Sequence, residues 1–260
     1  MSAVSSGSDL RPFWVSAFLD LAPQAHPRAT AFWAGVTGYA PSPARGEHAE
    51  FATLVPPTGD DYLRVQRLGT GDSRIHLDLH VREPRAAAAA ALALGAEQVA
   101  DPGLGYLVMA SPSGFVFCLV AHPASSAPPP TRSPDGQVSL LDQVCLDLPS
   151  SAYDAETRFW ERLTGSPATP SRVRPEFRVL PHPSPGPLRL LLQRLDEAEG
   201  PAGAHLDLAT DDRVAEVARH CALGAEVESV EEWWTVLRDP TGQRYCVTDR
   251  DPGSGRLRGT

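Results

Sequence analysis

The segment His205-Leu206-Asp207-Leu208 decides the fold, because the same four residues occur earlier in the chain, beginning at His76. Side chains alternate between the two faces of a strand, so the histidine and the aspartate share one face and the leucines share the other. A helical stretch ending in Ala-Leu-Gly-Ala-Glu follows each copy, at 93–97 and 222–226, and both landmarks recur after 129 residues (205 − 76 and 222 − 93). Two landmarks in one register predict an internal duplication.

Further matches extend the duplication over most of the chain. Phe159-Trp160 repeats Phe32-Trp33, and Gln193-Arg194-Leu195 repeats Gln66-Arg67-Leu68, both after 127 residues (159 − 32 and 193 − 66). A stretch rich in Pro and Ser separates the two halves and is typical of a linker. The predicted organisation is a flexible N-terminus (1–11), a first domain (12–121), a linker (122–137), a second domain (138–249) and a tail (250–260).

Each half reads as two units of strand, helix, strand and strand, which predicts an α+β fold. The first helix illustrates the signals. Pro27 suits a first helical turn, and Gly38 is typical of the residue that ends a helix. The tail after the last predicted strand carries no such pattern and is expected to be loose.

Composition excludes several classes of function. The chain has 260 residues, a hydrophobic fraction of 42% and a net charge of −9, and the negative charge disfavours a nucleic-acid partner. We find no apolar run of about 18 residues, so no membrane span is predicted. Residues 1–9 do not resemble a signal peptide, which predicts a cytoplasmic protein whose four cysteines are free thiols.

This order of elements resembles the vicinal oxygen chelate superfamily, which includes glyoxalase I, bleomycin-resistance proteins and extradiol dioxygenases. The markers are the Phe-Trp pair that ends the first helix before Thr-Gly, the His-Leu-Asp-Leu strand and the turn Asp239-Pro240-Thr241-Gly242 before the last strand. The resemblance is to the glyoxalase-like branch. It implies four βαβββ units in two tandem, cup-shaped domains around a small-molecule site.

Metal enzymes of that superfamily place ligands on four strands. Carried onto the second half, these positions are Gln143, Gln193, His205 and Cys246; on the first half they are Ser16, Gln66, His76 and Cys118. Gln and Cys replace both carboxylates of the family pattern, and neutral amides are weak ligands for hard divalent ions. The expectation is therefore no iron, manganese or magnesium, and either no metal or zinc, which accepts His and Cys.

The two histidines are the candidate catalytic residues. His205 and His76 are either hydrogen-bonded residues of a sheet face or pocket residues that act as ligand or base. Cys246 is either a zinc ligand or a buried apolar filler. The aspartates of the repeated segment, Asp78 and Asp207, either cap a neighbouring loop or pair with Arg67 and Arg194, and the pairing is the favoured interpretation.

The candidate substrate-binding residues are Gln143, Gln193, Gln66, Trp233 and Trp234. The adjacent tryptophans would point to opposite faces of a strand, so one of them faces the site or solvent, and an aromatic wall suits a planar ligand. Because Gln143 has a longer reach and more hydrogen-bonding atoms than Ser16, the second half is expected to carry the site.

Two functions follow from the resemblance. One is a glyoxalase-like lyase or isomerase that acts on a small oxygenated metabolite. The other is a bleomycin-resistance-like protein that sequesters an antibiotic or metabolite without turnover. An extradiol dioxygenase is disfavoured because its two histidines and one carboxylate are missing. The expected partners are a small molecule and, at most, a second copy of the chain, since one chain holds both halves of a pseudo-dimer.

Overall fold

The computed structural model describes residues 10–181 and 186–259. The elements of the first half are β1 (Trp14–Leu21), α1 (His26–Thr37), β2 (Ala40–Pro41), β3 (Phe51–Val55), β4 (Leu63–Arg67), β5 (Arg74–His80), α2 (Pro84–Ala93), β6 (Glu97–Ala100), β7 (Leu107–Ala110) and β8 (Val116–Val120). Those of the second half are β9 (Thr131–Arg132), β10 (Val138–Leu148), α3 (Tyr153–Thr164), β11 (Thr169–Pro170), β12 (Phe177–Leu180), β13 (Arg189–Arg194), β14 (Gly203–Thr210), α4 (Arg213–Ala222), β15 (Glu226–Val230), β16 (Trp234–Arg238) and β17 (Arg244–Thr248).

Each half forms one open sheet. The strand order is β2-β3-β4-β1-β5-β8-β7-β6 in the first sheet and β11-β12-β13-β10-β14-β17-β16-β15 in the second, where β9 also pairs with β10. In each sheet the His-Leu-Asp-Leu strand runs parallel to the last strand of its half, β8 or β17. The expectation of an α+β fold with four βαβββ units in tandem is confirmed.

Helix α1 begins and ends at the residues that the sequence indicates. Pro27 lies in the first turn of α1, and Gly38 ends the helix with a φ of 72°, a left-handed conformation that glycine adopts at little cost. Asp212 caps α4 by accepting a hydrogen bond from the backbone N–H of Ala215. Among the described residues, no helix combines the length and the apolar character needed to cross a membrane.

The described residues pack into two compact units, and each unit takes segments from both halves. The first unit holds residues 10–17, His76–Ser125 and the described part of Cys145–Ala204. The second holds Phe18–Ile75, Ser126–Val144 and 205–259. The predicted domain boundaries follow the sequence repeat and stay a prediction, whereas these units follow the proximity of backbone segments in space.

The core of the first unit is aromatic. The Trp160 side chain of α3 is fully buried, and its ring centroid lies 5.5 Å from that of Phe117 and 6.1 Å from that of Phe115. The indole N–H donates to Oε2 of the buried Glu156 at 2.8 Å, and the other oxygen of that carboxylate accepts from the backbone N–H of Ser113 at 2.7 Å. Burial of a carboxylate is tolerable when both oxygens are hydrogen-bonded in this way.

The core of the second unit joins α1 to α4 and β17. The Trp33 and Tyr245 rings lie 5.1 Å apart, and Arg219 donates to the carbonyl oxygens of Gly35 and Val36 at the end of α1. These contacts cap the last carbonyls of the helix with a positive charge, which favours that end of the helix dipole.

The chain after β17 differs from the expectation of a loose tail. Arg250 has only 4% of its surface exposed, its backbone bridges to Leu257, and Arg258 donates its backbone N–H to the carbonyl oxygen of Asp249 at 3.1 Å. The expectation failed because ion pairs and turns, rather than apolar periodicity, hold this segment. Of the predicted flexible N-terminus, residues 1–9 lie outside the described part of the chain.

Candidate functional site

Strand β14 directs a polar pair away from the core, as the alternation predicts. Leu206 and Leu208 are each 1% exposed, while His205 and Asp207 lie on the opposite face. His205 Nε2 is 3.5 Å from Asp207 Oδ1, and the His205 side chain keeps 15% of its surface exposed. Because β17 runs parallel beside β14 with Cys246 opposite Asp207, the His205, Asp207 and Cys246 side chains bring potential ligand atoms within 4.8 Å of one another.

The two oxygens of the Asp207 carboxylate have different surroundings. Oδ2 accepts a hydrogen bond from the side-chain amide of Gln143, which is 2% exposed. Oδ1 is buried and has no hydrogen-bond partner among the described residues. A buried oxygen without a donor is costly, so this atom is ready to accept a hydrogen bond from a bound molecule.

A buried arginine completes the surroundings of Asp207. Arg250 binds both carboxylate oxygens of Asp142, with Nε 3.1 Å from Oδ2, and its Nη1 lies 3.9 Å from Asp207 Oδ2. Burial alone would lower the pKa of Arg250, but the charges of Asp142 and Asp207 outweigh that effect and raise it. Asp207 therefore lies beside Gln143 and Arg250, whereas the sequence had suggested Arg194 as its partner.

Cys246 is a thiol rather than a thiolate in this environment. Burial, followed by the charge of Asp207, raises the pKa of Cys246 to about 11, although His205 opposes the shift. The thiol therefore stays protonated at neutral pH and behaves as a small filler with a weak S–H donor.

The first unit contains the corresponding group of the first half. His76 Nε2 lies 3.7 Å from Asp78 Oδ1, and the side chains of His76, Asp78 and Cys118 form a second cluster within 4.8 Å. Its surroundings differ, because Ser16, at the position of Gln143, shares a hydrogen bond of 2.9 Å with the buried His80 instead. His76 is also less accessible, with a side chain that is 9% exposed.

The other predicted residues are spread over both units. Gln193, in the first unit, lies with Oε1 3.5 Å from the thiol of Cys145, and Gln66, in the second unit, is half-buried on β4 opposite Phe51. The predicted zinc set of Gln143, Gln193, His205 and Cys246 stays a prediction.

The adjacent tryptophans border the C-terminal segment. Trp233 and Trp234 are both half-buried, and a Cβ atom placed on Gly259 would lie 3.8 Å from Cζ3 of Trp233. The backbone N–H of Asp249 donates to the carbonyl oxygen of Trp233 at 2.9 Å. Their role as an aromatic wall for a planar ligand stays a prediction.

Sequence reasoning missed Arg250 and treated Asp207 as structural. The signal for Asp207 was its place on the same face as His205. A signal for Arg250 was also present, since Cys246, Thr248 and Arg250 are two residues apart and would share one face if the extended backbone continued.

A comparison with known protein families finds the same duplication. A family model described as a glyoxalase-like domain matches residues 16–120 and again 143–248. The search of curated proteins found no match.

Solved structures match over nearly the whole chain at low identity. A variant of 4-hydroxymandelate synthase from Streptomyces coelicolor is 19% identical, with a TM-score of 0.62 over 94% of this chain and 95% of that one. A Mn(II)-bound glyoxalase from Novosphingobium aromaticivorans is 17% identical, with a TM-score of 0.60 over 96% of this chain and 86% of that one. The halotolerant catechol dioxygenase BphC is 16% identical, with a TM-score of 0.58 over 92% and 87%. At these identities the likeness establishes the fold.

Proposed function

Because the chain belongs to the glyoxalase-like domain family of the vicinal oxygen chelate superfamily, we propose that it binds a small oxygenated metabolite at His205 and Asp207. In this proposal, His205 moves a proton from one atom of the bound metabolite to another. The observation that carries the proposal is Asp207 Oδ1, a buried carboxylate oxygen without a hydrogen-bond partner among the described residues. A hydroxyl group of a ligand would satisfy it.

The two residues take separate roles in this proposal. The Asp207 carboxylate, fixed through Oδ2 by Gln143, accepts the ligand hydroxyl through Oδ1. The partly exposed His205 imidazole takes a proton from the bound ligand and returns it to the product, as in lyase or isomerase chemistry. The nearby carboxylate stabilises the imidazolium that forms.

The residues present do not fit the metal that the fold family implies. Fe(II) sites of dioxygenases use two histidines and one carboxylate, whereas this cluster offers a single histidine. Mn(II) favours oxygen ligands, and Asp207 is the single carboxylate of this cluster. Zinc would accept His205 and Cys246, but it would have to displace the thiol proton of Cys246, whose pKa burial raises to about 11. The Arg250 guanidinium, 3.9 Å from Asp207 Oδ2, further opposes a divalent cation. The proposed proton transfer therefore uses side chains alone.

The test is a thermal-shift screen of the full-length protein against hydroxy acids, hydroxy ketones and catechols. Hits would then be titrated into the Asp207→Asn and Asp78→Asn variants, which make the same substitution at equivalent places. We expect Asp207→Asn to weaken binding at least about tenfold, a loss of about 1.4 kcal/mol, and Asp78→Asn to leave it nearly unchanged.

Circular dichroism would confirm that both variants are folded. Equal losses in the two variants, or a larger loss in Asp78→Asn, would contradict the proposal. Ligand binding without any turnover of the hits would retain the site but replace proton transfer by sequestration.

A further inference from the structure

Two buried carboxylates share one buried guanidinium in the second unit. The side chains of Asp142, Asp207 and Arg250 are 8%, 5% and 5% exposed, and Arg250 binds Asp142 through two nitrogens while lying 3.9 Å from Asp207. Without the arginine, both carboxylates would be buried without a guanidinium to balance their charge, which would be energetically costly.

Arg250 lies outside the part of the chain that matches the family model, which ends at residue 248. The segment after β17 holds it in place. The Arg258 guanidinium donates to the carbonyl oxygen of Asp211 and lies 3.4 Å from Asp249 Oδ1, and the Asp251 carboxylate accepts from the backbone N–H of Ser254 at 2.8 Å. The cation is thus supplied by an ordered C-terminal segment rather than by the strands of the family pattern.

We propose that Arg250 is the resident cation of the site and that its guanidinium replaces the divalent metal of metal-dependent relatives. This inference rests on the proposed function of His205 and Asp207. Arg250 is a positioning residue: it pairs with Asp142, offsets the negative charge of Asp207 beside Gln143 and so leaves Asp207 Oδ1 to the ligand.

The positive charge of Arg250 should determine whether a divalent ion can bind at this cluster. A guanidinium beside the carboxylates repels an incoming divalent ion, and it also removes the excess negative charge that would attract one. Removal of the guanidinium should therefore create a cation site from the same donors. A lysine at position 250 would keep the charge and should keep the site closed to metal.

The experiment is a Co²⁺ titration of the full chain after treatment with chelator, followed by visible absorption and metal analysis. The variants are Arg250→Met, Arg250→Lys and the matched control Arg256→Met, which removes an exposed arginine from the same segment. We expect no stoichiometric Co²⁺ in the wild type, Arg250→Lys or Arg256→Met. Arg250→Met should take up about one Co²⁺ per chain with at least a tenfold gain in affinity, and a further Asp207→Asn substitution should abolish it.

If Arg250→Met does not fold, Arg250→Gln replaces it, since the amide keeps hydrogen-bond donors for Asp142 without the positive charge, and the same gain is expected. One Co²⁺ per chain in the wild type would overturn the proposal, and so would a variant lacking Arg250 that binds no more Co²⁺ than the wild type. These outcomes are independent of the ligand titrations, so failure of this inference is distinguishable from failure of the proposed function.

Discussion

His205 Nε2 lies 3.5 Å from Oδ1 of Asp207, an oxygen that is buried and has no hydrogen-bond partner among the described residues. This distance is too long for a good hydrogen bond, so the two side chains are close while Oδ1 can still accept one. A ligand donor would fill this gap, and the predictions below test the surroundings that maintain it.

Loss of the Gln143 side chain should lower ligand affinity more than loss of the side chain of Ser16, its counterpart in the first half. Gln143→Leu removes the donor to Asp207 Oδ2 and leaves a second buried oxygen short of a partner, at a cost of about 1–3 kcal/mol in the free energy of unfolding. Ligand affinity should also fall, as isothermal titration would measure. Ser16→Ala is the matched control, because Ser16 contacts His80 in the other unit. Unchanged affinity in Gln143→Leu would show that Asp207 needs no support.

Stability should fall in acid because of the buried network on α4. The buried His220 shares hydrogen bonds with Glu216 through Nε2 at 3.2 Å and with the Tyr245 hydroxyl through Nδ1 at 3.0 Å. Burial lowers the pKa of His220 below its usual 6.5, although Glu216 opposes the shift. The unfolded chain then binds this proton more readily than the folded one, so stability present above pH 6.5 declines as the pH falls below that value.

Glu216 adds a second acid step. Burial alone would raise the pKa of its carboxyl, but hydrogen bonds from Arg219 and His220 lower it to about 2. A depressed carboxyl pKa contributes stability that is complete above its ordinary value of 4.5 and is lost as the pH falls toward 2. Urea unfolding between pH 7 and pH 3 should show both declines. Glu216→Gln should flatten the second, whereas Glu228→Gln, at an exposed ion pair, should change little.

The indole N–H groups of the two repeated tryptophans should contribute differently to the free energy of unfolding. Trp160→Phe keeps much of the aromatic packing but leaves Oε2 of the buried Glu156 without its donor at 2.8 Å, so we expect a loss of about 1–3 kcal/mol. Trp33→Phe is the matched variant, and its longer contact with Asp239, at 3.3 Å, should make the loss smaller. Chemical denaturation would measure both, and the reverse order would show that the indole packing, rather than Glu156, dominates.

Cysteine reactivity provides an independent check on the thiol at the site. Cys221 is exposed, whereas Cys246 is buried with a pKa raised to about 11. Iodoacetamide at pH 7.5 should therefore label Cys221 first in the folded protein, as peptide mass spectrometry would show. Rapid labelling of Cys246 would indicate a thiolate and would favour zinc after all.

The fold could be predicted because local signals and the repeat agreed, as at Pro27 and Gly38 of α1. The two-residue strands β2 and β11 could not, because Ala40–Pro41 and Thr169–Pro170 are too short for a period of two and each contains a proline. Arg250 escaped prediction because its burial depends on an ion pair with Asp142, 108 residues away in sequence. The spacing of two residues from Cys246 and Thr248 places Arg250 on one face of an extended chain, but it does not reveal a partner so far away in the sequence.

The central claim is that the second-half group, and not its copy in the first half, is the functional site. The most direct measurement compares His205→Ala with His76→Ala in the dissociation constant of a ligand found in the screen, with circular dichroism as the check on folding. We expect His205→Ala to weaken binding at least about tenfold, or about 1.4 kcal/mol, and His76→Ala to change it by less than about twofold. If both variants stay folded and His76→Ala is the more damaging, the site lies in the first half and the account is wrong.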